Sequence, residues 1–467
     1  MNTRLSLPAA AVLLSMLAGC ASFSPDGGTA RVNELTRERV GLAVAAGTPS
    51  QARMRELLVA PLTVDTAVQV ALLNNRRVQV ALAELGIAEA DLVQAGLLRN
   101  PRFSFGRTSG GDSVEFDRAV MFDFAGLLTL PLRKAIESRR FEQAQLQAAL
   151  QVVRIAADAR RAWYQAVAAE QSLAYLQQVE LAAEASAELA QRMAKAGNWN
   201  RLDEAREQVF HAEVAAQLTR TRQQSVAARE ALARALGLSG EQIDFRLPDR
   251  LPALPAQLPT AQDLARRALE QRLDLKAATL ETEFTARALG LTRTTRFVNV
   301  LELGYQNRSE TGAARANGYE IELSLPLFDW GTARVRRAQA SYMRALQRTA
   351  DVAVQAQSQV RETDSLRRTQ YEVARRYRDE IVPLRKRMSD EMLLRYNGML
   401  ASVFELLADA RAQIASVSAS IDAQRDFWIA DSELQYAVHG GGALPVLPSA
   451  YTPSTPSALP AAAAGGH

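Results

Sequence analysis

Tyr319-Glu320-Ile321-Glu322-Leu323-Ser324-Leu325-Pro326-Leu327 is the stretch on which the fold turns. Apolar and polar residues alternate with period two up to Leu325, which is the pattern of a strand with one face in lipid and the other in water. Upstream, Leu301, Leu303 and Tyr305 alternate with Glu302, Gly304 and Gln306, and the turn-rich segment Arg308 to Gly318 separates the two runs. The closing Leu323-Ser324-Leu325-Pro326-Leu327 is answered far upstream by Leu128-Thr129-Leu130-Pro131-Leu132. That earlier copy follows its own pair of runs. Phe103 and Phe105 alternate with Arg102 and Ser104, and Val114, Phe116, Val120, Phe122 and Phe124 stand opposite Glu115, Asp117 and Asp123. Four strands in two pairs are predicted, with each Leu-x-Leu-Pro-Leu ending the second strand of its pair.

Other landmarks repeat at nearly the same spacing. Thr63 to Ala81 lines up with Thr260 to Ala278, each opening on a Thr N-cap, and Gly197 answers Gly398. The three offsets are 197, 195 and 201 residues, so the chain is expected to be one structural unit written twice, 62–246 and 260–439. Leu247 to Pro259 is a Pro-rich linker between them, 20–61 an N-terminal linker, and 440–467 a low-complexity tail expected to be disordered. Within each unit the expected order is short helix, long helix, two strands, very long helix, break, long helix. From Leu132 to Gly197 no Pro or Gly intervenes, and from Thr332 to Gly398 only Pro383 does. A run of ~65 residues makes a rod of roughly 100 Å. On the first rod Val152, Ile155, Ala159, Ala162, Ala166, Ala169, Leu173 and Leu176 form a heptad seam. A weaker seam, Leu146, Leu150, Val153, Ala157, Tyr164 and Val167, runs beside it, so the rod is expected to pack against two sets of neighbours.

Composition narrows the function classes. The 467 residues are 48% hydrophobic but only 6% aromatic, which favours Ala/Leu-rich helices over a ring-filled catalytic core. One cysteine and three histidines (His211, His439, His467) leave no material for a disulfide framework or a Cys/His metal centre. No cofactor or metal is expected, and no Gly-rich phosphate loop with its Lys is present. A net charge of +4 with interspersed acids does not indicate nucleic acid. The chain is not expected to be an enzyme.

Arg4 precedes the apolar run Leu5 to Leu17, too short to span a membrane as a helix, and Leu17-Ala18-Gly19-Cys20 follows. Residues 1–19 read as a lipoprotein signal peptide and Cys20, the sole cysteine, as the lipidated first residue of the mature chain. No later stretch is apolar for long enough to be a transmembrane helix. If the chain crosses a membrane it does so as strands. Four strands fall short of the ~8 of the smallest membrane barrels, so several chains would have to share one.

The lipobox, the doubled helix-strand-strand-helix unit, the Leu-x-Leu-Pro-Leu motifs and the Gly-marked turns together resemble the TolC-like outer-membrane factors, in their lipidated OprM and CusC branch. The resemblance implies a mainly α fold with a small β part. A homotrimer would give four strands per chain to one twelve-stranded transmembrane β-barrel, continued by an α-helical barrel across the periplasm. It further implies an outer-membrane exit duct of a tripartite efflux system, held in the membrane of a Gram-negative bacterium by acylated Cys20 and joined to a periplasmic adaptor and an inner-membrane transporter. A non-conducting coiled-coil envelope spacer is the alternative.

The same resemblance places adaptor contacts at two helix turns, Lys195, Gly197, Asn198 and Trp199 in the first and Tyr396, Asn397, Gly398 and Met399 in the second. A periplasmic gate is expected just beyond. The carboxylate common there in the family falls on Leu407, or on Ala408 with one inserted residue, while Asp409 is displaced by one or two residues. A ring of Val403, Phe404 or Leu407 sealing the pore by excluding water is therefore weighed against a carboxylate ring. Asp203, six residues after Gly197, is expected either to hold the closed tip through a cation such as Arg395 or simply to favour its helix start.

Overall fold

The computed structural model describes residues 22–42, 51–111, 113–258, 263–297, 300–324 and 326–442. The signal segment 1–19, Cys20, Thr260, Leu325 and the tail beyond 442 lie outside the described residues. The chain is mainly helical with one small sheet. Helices α1 (Thr29–Val40), α2 (Gln51–Val59), α3 (Val64–Asn74) and α4 (Arg76–Ala95) lead to strands β1 (Arg102–Gly110) and β2 (Ser113–Asp123), then to the long α5 (Phe124–Lys195) and α6 (Arg201–Leu236). A second series follows: α7 (Leu264–Gln271), α8 (Leu273–Thr294), β3 (Leu301–Glu310), β4 (Ala316–Leu323), α9 (Thr332–Arg376), a π-helical segment Tyr377–Ile381, α10 (Val382–Asn397) and α11 (Val403–His439). Segment 20–61, expected as a linker, thus carries two helices, and Val32 and Leu35 of α1 are buried beside Leu146 and Leu273.

At 72 residues α5 is a rod of roughly 110 Å. Both of its predicted seams are occupied. Val152, Ile155, Ala159, Ala162 and Ala166 are buried with Val68 and Leu72 of α3 and Leu232 and Leu236 of α6. Leu146, Val153 and Ala157 pack instead with Leu273 and Ala277 of α8. Small Ala side chains let these backbones approach closely.

The end of the second strand differs from expectation. β2 stops at Asp123, whose carboxylate accepts from Gly126 N at 2.6 Å and starts α5, so Leu128-Thr129-Leu130-Pro131-Leu132 lies inside the helix. Pro131 removes one helical donor, but Thr129 Oγ1 donates to Ala125 O at 2.9 Å and an Arg133 guanidinium nitrogen to Gly126 O at 2.8 Å, so nearby carbonyls are satisfied. In the second series Ser324, Pro326 and Leu327 lie between β4 and α9. At Pro383, which cannot donate to the preceding turn, the ladder widens into the π segment just upstream.

The Pro-rich segment is a packed strap. Tyr371 donates to Pro255 O and Ala256 O at 3.0 Å each, and Trp428 Nε1 donates to Pro252 O at 3.0 Å. Trp163, Tyr164, Trp428, Phe427 and Tyr371 form a continuous aromatic ladder, with ring centroids 5.0–5.7 Å apart, from α5 through α11 to α9. Gly237 closes α6 at φ +73°, where an added Cβ would lie 2.9 Å from Asn75 Cα, so the junction of α3 and α4 docks on that helix end only because the residue is glycine.

Candidate functional site

Three places in the molecule carry exposed features that packing does not use: the sheet, the apolar residues just below it, and the helix turns at the far end of the rods.

The sheet is antiparallel in the order β1-β2-β3-β4, with β1 and β4 as edges. Its register sorts the side chains cleanly. Phe103 pairs with Val120, Val120 with Tyr305 and Tyr305 with Tyr319, while Phe122, Leu303 and Ile321 align one row below. These rows share one face, and its large side chains stay exposed, Tyr319 at 88%. The opposite face carries every strand carboxylate, Glu115, Asp117, Asp123, Glu302, Glu310, Glu320 and Glu322. Arg102, 3.1 Å from Glu302, and Arg308, 2.8 Å from both Glu115 and Asp117, are the strand arginines that answer them, and Arg99, just ahead of β1, lies 3.3 Å from Asp123. Below the sheet Leu127, Leu128, Leu327, Phe328 and Trp330 continue the exposed apolar surface, Phe328 at 98%.

At the other end, the turn between α5 and α6 has Lys195, Gly197 and Asn198 exposed and Trp199 half-buried. Gly197 takes the left-handed conformation at φ +78°. In the second turn, between α10 and α11, the glycine does not. Gly398 has φ −80°, and the left-handed residue is Met399 at φ +60°, 93% exposed. Tyr396 is half-buried, and both it and Trp199 pack against Ala183, Phe210, Val214, Val403 and Leu407, so the two turns lie at one end of the molecule. A side chain held left-handed costs on the order of 1 kcal/mol, so Met399→Gly should stabilise the turn by roughly that amount. Slower hydrogen exchange at the Leu400 and Ala401 amides is the expected readout, and unchanged exchange would contradict it.

The gate candidates fall in different environments. Ser402 caps α11 through a reciprocal pair with Glu405, which fixes the helix phase. Val403, Leu407, Ala410 and Ile414 then fall at heptad spacing on the stripe that meets Phe210 and Val214 of α6. Val403 and Leu407 are therefore buried within the chain, between α11 and α6. Asp409 is also turned inward, and its Oδ2 is buried with no hydrogen-bond partner. Of the α11 candidates Phe404 is the exposed one, at 53%, with the Arg206 guanidinium carbon 5.4 Å from its ring centroid. Asp203 does not meet Arg395 in the chain. It accepts from Arg206 at 3.0 Å and from Asn200 Nδ2 at 2.7 Å, as a helix-start residue does, while Arg395 pairs with Glu391 at 3.1 Å.

Sequence reading missed Glu207. It is buried between α5 and α6, accepting from Ser186 Oγ at 2.9 Å, and burial raises its carboxyl above the usual range, offset in part by Ser186 and the Arg411 charge. The signal was present as a polar member of the seam Glu207, Phe210, Val214, Thr221, Ser225. Because the folded pKa is the higher one, this group's stabilising contribution is complete below ~4.3 and is lost as pH rises through the raised value. Glu207→Gln should therefore stabilise the tip at pH 7.5, with the difference from wild type vanishing towards pH 4.5. A Tm difference that is constant with pH would refute this.

No protein-family model and no curated protein matches the chain. Solved structures do. The outer-membrane channel OprN is 21% identical, with 91% of this chain and 97% of that one covered at a TM-score of 0.71. The Campylobacter jejuni CmeC outer membrane channel is 14% identical, with 88% and 92% covered at 0.71. CusC, studied for the conformational changes that accompany folding and transmembrane channel formation, is 15% identical, with 86% and 96% covered at 0.69. At these identities the likeness establishes the fold, and the chain has that of the TolC-like outer-membrane factors.

Proposed function

We propose that this chain is the outer-membrane exit duct of a tripartite efflux system, acting as a homotrimer that passively conducts cargo delivered by a periplasmic adaptor and an inner-membrane transporter. One observation carries the reading: an amphipathic four-stranded sheet with two unpaired edges, set at one end of helices roughly 110 Å long. Unpaired edges are not tolerated in lipid, and closing them with further copies of the same sheet makes a barrel. Three copies give twelve strands, with the aromatic and aliphatic face outward and the carboxylates inward. Neighbours of the same fold that are named as outer-membrane channels support the same conclusion. Among the described residues no helix is long and apolar enough to cross a membrane.

Acylated Cys20 would anchor the trimer in the outer membrane. The exposed apolar residues at the second turn, Leu394, Met399 and Leu400, suit contact with an adaptor, and Lys195, Asn198 and Asn397 would flank it. The two series of elements read as a duplicated unit, which lets six helical hairpins close the periplasmic wall. An envelope spacer would have no use for the outward apolar face that carries Phe103, Phe122, Leu303 and Ile321.

Planar-bilayer conductance, with the oligomer mass determined on the same detergent-extracted sample, tests this. A trimer giving small, flickering currents is expected. Carboxylates on the inner face should make them cation-selective, seen as a shifted reversal potential in a salt gradient. A monomer or dimer that never conducts would leave the spacer as the better account.

A further inference from the structure

The outward face of the sheet is not apolar throughout. Above the row Phe103, Val120, Tyr305, Tyr319 the register places Phe105, Arg118, Asn307 and Asn317, and above those Arg107, Phe116 and Ser309. Arg107 and Arg118 therefore point to the same side as the lipid-facing row, nearer the hairpin turns. No strand carboxylate shares that face, and among the described residues neither arginine has a carboxylate within ion-pair distance. The two arginines on the inner face, by contrast, are both paired. The neighbours of Arg118 are neutral: it donates to Asn307 Oδ1 at 3.1 Å and lies 5.7 Å from the Phe116 ring centroid. Asn307 in turn donates to Asn317 Oδ1 at 2.7 Å, and the Tyr305 hydroxyl reaches the same oxygen at 2.8 Å. The phenol thus points from the apolar rows towards the polar ones, as a ring at a membrane surface does.

We propose that Arg107 and Arg118 form a phosphate-binding layer for the phosphorylated glycolipid of the outer leaflet, lipid A, around the rim of the barrel. This rests on the duct reading, which sets the face in lipid and the hairpin turns at the exterior. Two guanidinium groups with no carboxylate partner among the described residues match the charge and fork geometry of phosphate. In the duct reading the tyrosines mark the membrane surface, and one and two rows above them the arginines would stand at the level of the headgroup phosphates. A lumenal anion cannot reach them, because they face away from the carboxylate side. Zwitterionic phospholipid offers each phosphate already neutralised by its own amine.

Native mass spectrometry of the purified full chain, with added lipid A in bis-phosphorylated or dephosphorylated form or with phosphatidylglycerol, provides the test. Bis-phosphorylated lipid A is expected to occupy the wild-type protein roughly tenfold more than the dephosphorylated form. Arg107→Gln/Arg118→Gln should abolish that preference while leaving the apolar rows intact. A wild type that does not discriminate by phosphate, a double variant that still does, or phosphatidylglycerol binding as tightly as lipid A would each overturn the proposal. The same spectra report the oligomer. A trimer without phosphate preference removes this inference alone, whereas absence of a trimer removes the duct reading beneath it.

Discussion

Replacing Arg272 with Met should destabilise the chain by about 3–5 kcal/mol, the cost of breaking a buried ion pair by deleting one partner. Arg272 is only 1% exposed and stands at the junction of α7 and α8. Its Nε and one terminal nitrogen grip the Asp274 carboxylate at 2.9 and 2.6 Å, while the other terminal nitrogen donates to Gln359 Oε1 at 2.9 Å and approaches Ala437 O at 3.4 Å. One side chain thus ties α8, α9 and α11 together. Methionine would fill much of the volume but would leave the Gln359 amide oxygen and the Ala437 carbonyl without this donor, and the Asp274 carboxylate with only the Leu275 amide and no counter-charge. Denaturant unfolding in detergent should show the midpoint fall for Arg272→Met and largely recover in Arg272→Met/Asp274→Leu, because the uncompensated charge is then gone. A loss below about 1 kcal/mol in the single variant would mean that the pair is dispensable.

The alternation in Tyr319 to Leu323 and the two seams on α5 were legible because each depends on a fixed local period, two for strands and 3.5 for packed helices. Boundaries were less so. The expectation that Leu128 to Leu132 ends a strand followed from its likeness to Leu323 to Leu327, but the side chain that decides is Asp123, whose cap starts the helix five residues earlier. The helices at Thr29–Val40 and Gln51–Val59 were hidden for a different reason. Neither has an acidic residue in its first turn, and they are held by tertiary contacts of Val32, Leu35 and Met54. Buried charge was the least legible feature. Nothing in the sequence distinguishes Arg272 or Arg161, which meets Glu433 at 2.5 Å, from the many solvated arginines.

Helical phase separates the gate candidates. Counting residues from Gly398 assumes that the turn has a standard length, but Met399 takes up the left-handed position and Ser402 sets the start of α11. An error of one residue is a rotation of ~100°, enough to turn a pore-lining side chain into a seam residue. Val403, Leu407 and Ile414 form such a seam, and the neighbour that would have revealed it, Phe210 on α6, lies nearly 200 residues away in sequence.

Phe404→Ser and Leu407→Ser should therefore have opposite signatures. Phe404 is exposed at the tip, stacked under the Arg206 guanidinium. A polar replacement there leaves the packed cluster untouched, so the fold should change by less than about 1 kcal/mol. If Phe404 contributes to an apolar seal, the replacement should raise open probability several-fold, because a dewetted constriction opens once its lining accepts water. Leu407 is only 6% exposed among Phe210, Val214 and Val403, and serine there creates a cavity and buries a hydroxyl. About 3–5 kcal/mol of local stability should be lost, seen as faster hydrogen exchange through both tips. Any added current from Leu407→Ser should accompany that loosening, whereas Phe404→Ser should conduct with exchange at wild-type rates. Finding that Leu407→Ser opens the channel without faster exchange would place its side chain on the lumen and overturn the orientation derived for α11.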